Sequence, residues 1–152
     1  DYTEQQAILK SIEDAIRDMH ESVNMMRSAK NQLNLYQKLL KENEEAKALI
    51  DTAKALVMKI EIWENKLIQP KQKTFQDVIN FQNQLNAEFM QLKGFIDVAD
   101  PKITSGARER FDDLSIEWKK FLDRRAQLID VELAAFNKLY EGLNLPAVIL
   151  EK

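Results

Sequence analysis

The sequence predicts an all-α protein, an antiparallel up-down-up-down four-helix bundle with long first and fourth helices and a short extended C-terminal tail. Two observations predict it. Four long segments carry apolar residues at spacings of three and four, which marks one face of a helix, and three short breaks separate them. The 152 residues also include only three Gly and three Pro, which suits long uninterrupted helices better than turn-rich β structure.

The first helix opens with Thr3 as N-cap and Gln6 three residues on. Its apolar face is Ile8, Ile12, Ala15, Ile16, Met19, Val23, Met26, Leu33, Tyr36 and Leu40, and it runs to about Lys41, with Asn43 as the break. The second runs from about Glu44 to Ile68 on a face of Ala46, Leu49, Ile50, Ala53, Leu56, Val57, Ile60, Trp63 and Leu67. Pro70 removes a donor and biases Gln69 away from helix, so Gln69 to Lys73 is a connector. Thr74 caps the third helix, with Asp77 three residues later. Its face is Phe75, Val78, Ile79, Leu85, Phe89, Leu92 and Ile96, and it ends near Ala99, before Asp100-Pro101. Gly94 inside it costs about 1 kcal/mol against Ala, for which close approach of a neighbouring helix is one reason. Thr104 or Ser105 caps the fourth helix. Phe111, Leu114, Trp118, Phe121, Leu122, Leu128, Ile129, Leu133, Phe136 and Tyr140 form its stripe, and Gly142 fits a C′ stop with Pro146 beyond it. The tail from Leu145 to Leu150 reads as extended chain or a strand.

Short connections make consecutive helices antiparallel. The first and fourth helices exceed the inner two by about half, so residues of roughly 4–20 and 126–141 are expected to project as a two-helix stalk, with the tail beside the N-terminus. That places a possible interaction surface at Ile8, Ile12, Phe136, Tyr140, Val148 and Ile149. Two helices alone cannot cover so wide an apolar face. The tail is expected to fold back over the stalk or to add a strand to an upstream β domain, and in the isolated domain the exposed surface would drive a homodimer instead.

Length and composition fit one domain, 1–152, with 45% hydrophobic and 31% charged residues and a net charge of −3. No basic stripe points to nucleic acid, and no apolar run approaches the ~20 residues of a membrane span. The chain opens Asp1-Tyr2-Thr3-Glu4 without Met, as an excised domain or processed product would. Absence of Cys excludes disulfide and thiolate chemistry.

Chemistry-bearing residues are few. His20 is the single histidine, and Arg17 stands where a ferritin-like Glu-x-x-His motif needs Glu. Paired carboxylates can hydrolyse glycosides across a cleft, but Glu42, Glu44 and Glu45 at a helix start favour its positive end instead. Lys119, Lys120, Arg124 and Arg125 lie among Glu117, Asp123 and Asp130, as in a salt-bridged solvent face. Gln76, Asn80, Gln82, Asn83, Gln84, Asn86 and Gln91 around Phe81 offer donors and acceptors to a sugar, or form an uncharged exposed face. Trp63 and Trp118 read as core anchors. The residues therefore predict no catalytic site, metal or cofactor.

Several stretches together carry a resemblance: Glu21 to Leu33; Trp63 to Leu67 with Gln76 to Asn86 after it; Ala99 to Thr104 with Arg110 to Leu114 after it; and Phe136 to Leu139 running into Leu145 to Ile149. The chain resembles, over nearly its whole length, the C-terminal helical region of large bacterial proteins with sialidase-type (BNR, Asp-box, sortilin-like) β-propeller repeats, often labelled glycosyl hydrolases on those repeats alone. Gln82 departs from the pattern, which has proline after the aromatic. The resemblance implies that propellers and any active site lie upstream of Asp1. It implies an exported parent, periplasmic or surface-associated, and a non-enzymatic accessory role that packs against or spaces its β domains. An independent protein- or glycan-binding module is the alternative.

Overall fold

The computed structural model describes residues 2–67, 85–97 and 104–151. Helix α1 spans Tyr2–Leu39, α2 Lys47–Leu67, α3 Leu85–Asp97 and α4 Ser105–Ala126. A π-helical stretch, Gln127–Leu133, joins α4 to α5, Ala134–Gly142. The fold is all-α, and among the described residues there is no strand. Thr74, the connector, Phe75, Val78, Ile79, the amides from Gln76 to Gln84 and Asp100-Pro101 fall outside the described residues.

Local chemistry sets several ends. Helix α1 gives way to a turn after Leu39, and beyond it the Asn43 side chain accepts the Glu45 N–H at 3.0 Å and opens the single turn Glu44–Ala46 that leads into α2. Thr104 Oγ1 accepts the Ala107 N–H at 3.1 Å and caps α4. Thr3 lies inside α1, which already includes Tyr2. The C-terminal stop is Asn144 rather than Gly142. Asn144 takes the left-handed conformation, φ 50°, and Gly142 is the last helical residue. Asn tolerates this conformation because its short polar side chain bonds locally. Gly94 also differs from expectation. Among the described residues, a Cβ there would meet nothing within 4 Å, so no close approach of a described helix accounts for it.

The chain falls into two compact units, Asp1–Val23 with Glu64–Leu122, and Asn24–Trp63 with Asp123–Lys152. In the first, Gln5 Nε2 donates to the Ile96 carbonyl at 3.0 Å, and Glu13 meets Lys93 at 3.6 Å. Helix α3 therefore runs antiparallel to α1. Arg108 grips the Glu4 carboxylate as a fork, at 2.5 and 2.6 Å, so the first turns of α1 and α4 lie together. Ile12, Met19, Phe89, Ile96, Leu114 and Trp118 supply buried apolar side chains. In the second unit, Tyr36 near the end of α1 meets Phe136 and Tyr140 on α5, at ring distances of 6.0 and 5.1 Å. Lys59 of α2 bonds Glu132. Buried residues here include Met26, Leu33, Leu49, Ile60, Trp63 and Leu128.

These pairings replace the expected stalk. Residues 4–13 pair with α3 and α4 in the first unit, while 126–141 belong to the second with α2. The third helix, antiparallel to α1, does not keep a strict up-down-up-down order either. The physical reason is coverage. The start of α1 meets both α3 and α4, where a stalk would offer it one partner.

Candidate interaction surface

Of the residues expected at an interaction surface, Tyr140, Val148 and Ile149 lie in or beside the C-terminal tail. It is built from α5 outward. Leu143 and Asn144 donate to the carbonyls of Tyr140 and Glu141, each at 3.2 Å, which closes the last turn. The positive φ of Asn144 then reverses the chain. Tyr140 Oη donates to the Pro146 carbonyl at 3.2 Å and ties the reversal down. Beyond it, Leu145 and Ile149 are half-buried, while Val148 is 75% and Leu150 80% exposed. The tail thus has an inner and an outer apolar side.

The inner side lines a cleft of about 480 Å³ against the turn between α1 and α2. Its floor includes Leu39, Leu40, Leu145 and Ile149, and its rim carries Lys38, Lys41, Glu42, Glu44, Glu45 and Glu151. Such a cleft accepts an apolar side chain at a mixed-charge mouth. The carboxylates of Glu42, Glu44 and Glu45 surround the Asn43 cap. A second groove, about 410 Å³, runs between Met25, Ser28, Gln32 and Tyr36 of α1 and Ile129, Leu133, Phe136 and Asn137 of the last helical stretch. Tyr140 sits with its edge toward Tyr36. Burial pushes its phenol above the ordinary 10.0, and the neighbouring Tyr36 adds to the shift.

The six residues expected at one surface divide. Ile12 and Phe136 are buried and serve as core, and Ile8 is half-buried in the first unit. Tyr140, Val148 and Ile149 remain together at the tail of the second. Within its own unit the tail lies against the α1–α2 turn, whereas the chain's start belongs to the first unit. Sequence reading missed Asn144 and the Tyr140–Pro146 tether. Asn two residues after the last helical position was the available signal.

The other candidates resolve into surface chemistry. His20 is exposed on α1. Lys120 pairs with Glu117 at 3.0 Å, and Arg124 lies 3.7 Å from Glu132 and bonds the Gln127 amide oxygen at 2.6 Å. Gln91 is exposed, whereas Asn86 is buried and its Oδ1 has no hydrogen-bond partner among the described residues. Among the described residues, no group of three or more His, Asp or Glu side chains is placed to hold a metal. None of the described helices is long and apolar enough to cross a membrane. No family model, no curated protein and no solved structure matches the chain.

Proposed function

We propose that the chain is a non-catalytic accessory domain that packs against or spaces the β domains of a larger exported protein. The observation that carries this reading is the tethered tail, which turns Val148 and Leu150 outward while Ile149 grips its own unit. An anchored segment with apolar side chains to spare suits docking on a neighbouring domain, by strand addition or side-chain insertion. The β-propeller parent, its glycosyl-hydrolase label and an extracytoplasmic location rest on the sequence resemblance alone. For the fold, the finer part of the proposal is a bundle of four helical segments, supported by the apolar stripe that each one buries.

The test removes residues 145–152 from the full-length parent and from the isolated chain. Expected are a lower thermal midpoint in the parent, or weaker self-association of the isolated chain by sedimentation. Unchanged stability and mass in both would sink the reading. A second reading, an independent protein-binding module or homodimer, is favoured by Met58 and Ile62 on α2. They stand one helical turn apart and are 63% and 52% exposed. Binding of the tail-less chain to partner or to itself would select it.

A further inference from the structure

We propose that the π-helical stretch Gln127–Leu133 stores one surplus residue, and that this surplus sets the register in which α5 docks and holds the tail. The argument starts from two buried residues of the second unit. Leu128 and Phe136 are 0% and 3% exposed, and they stand eight positions apart. An α-helix turns about 100° per residue, so eight steps would leave Phe136 about 80° away from the direction of Leu128. The wider π turn absorbs one residue. That removes about 100° and brings Phe136 back to within about 20° of Leu128.

Nothing in the backbone chemistry forces the change, because Gln127–Leu133 contains neither Gly nor Pro. Side-chain burial does. In an unbroken α-helix, Ala135 and Leu139 would fall where Phe136 and Tyr140 now face. Both are exposed in the structure, and as a pair they offer less apolar surface and no partner for Tyr36. The π register instead buries Phe136 and sets Tyr140 edge-on to Tyr36 at 5.1 Å. Glu132, within the stretch, is held by Lys59 of α2 and approached by Arg124. Tyr140 then donates to the Pro146 carbonyl, so the placement of the tail depends on this register. The surplus position projects outward at Val131, which is 61% exposed.

Deleting Val131 from the full chain tests the proposal. If the residue is surplus, the stretch relaxes to α geometry and Phe136 and Tyr140 keep their places. The thermal midpoint then falls by less than half the drop caused by Phe136→Ala, and the nuclear Overhauser contacts between the rings of Tyr36 and Tyr140 persist. Deleting exposed Asp113, inside the α-helical part, rotates the rest of the helix by about 100° and lowers the midpoint by about 10 °C. A Val131 deletion that costs half or more of the Phe136→Ala drop, or that abolishes the ring contacts, would overturn the proposal.

Discussion

Gln5 in the first turn of α1 donates its amide proton to the carbonyl of Ile96, at 3.0 Å and across 91 positions of sequence. The bond ties the first turn of α1 to the last described turn of α3. Gln5 is only 6% exposed, so its amide makes this bond in the interior. Gln5→Leu removes the buried bond and should cost about 1–3 kcal/mol in denaturant unfolding. Gln5→Glu should do at least as much damage at neutral pH, because a carboxylate cannot donate. If both variants unfold at the wild-type denaturant midpoint, the bond contributes nothing.

Phe89 is fully buried on α3 and is the largest of the fully buried side chains. Phe89→Ala should cost about 3–5 kcal/mol, from lost transfer energy and the cavity left behind. Leu85→Ala, at 6% exposure on the same stripe, should cost about 2–5 kcal/mol. Thermal midpoints that do not move would show that α3 is held by something other than this stripe.

Much of the fold was legible in the sequence. Spacings of three and four placed Leu33, Ile60, Trp63, Leu85, Phe89 and Trp118 in the interior, and all are buried. Asn43 was legible as a break, and the α4 cap was narrowed to Thr104 or Ser105, of which Thr104 serves. Periodicity says which face of a helix is apolar but not which helix covers it, so the pairing of Glu4 with Arg108 and of Tyr36 with Tyr140 was hidden. Buried polar groups were hidden too, since Gln5, Ser22 and Glu64 look like surface residues until their surroundings are known. The π stretch was hidden as well, because Ile129 to Leu133 keeps the four-residue step of an α stripe. The burial of Ile12 and Phe136 was hidden in the same way, because they are covered by helices whose positions no local pattern fixes.

Gly94→Ala should stabilise the protein by about 0.4–1 kcal/mol. The residue sits inside α3, and among the described residues a Cβ there meets nothing within 4 Å. Alanine restricts the unfolded chain and favours helix without a steric cost. A lower denaturant midpoint for the variant would mean that an open backbone is needed at this position.

Tyr140 gives the protein an alkaline sensitivity. Its folded pKa lies above the ordinary 10.0, mainly through burial and further through Tyr36. The folded state therefore keeps its proton where the unfolded state begins to lose it. That stabilisation is fully present below about pH 10 and is lost as pH rises through the folded value. Thermal midpoints measured from about pH 9 to about pH 11 should fall less steeply for Tyr140→Phe than for the wild type. Parallel slopes would assign the alkaline loss to other groups.

Boundaries between compact units ordinarily fall in linkers that few contacts cross. In this chain they fall inside helices: between Val23 and Asn24 in α1, Trp63 and Glu64 in α2, and Leu122 and Asp123 in α4. Melting one unit alone would end three helices in mid-course, and each new end would expose four unpaired backbone groups. Partial unfolding is thereby penalised, and the two halves are thermodynamically fused. Heating should produce a single calorimetric transition whose van't Hoff and calorimetric enthalpies agree. Neither half, cut out at these boundaries, would inherit a complete helix at the cut.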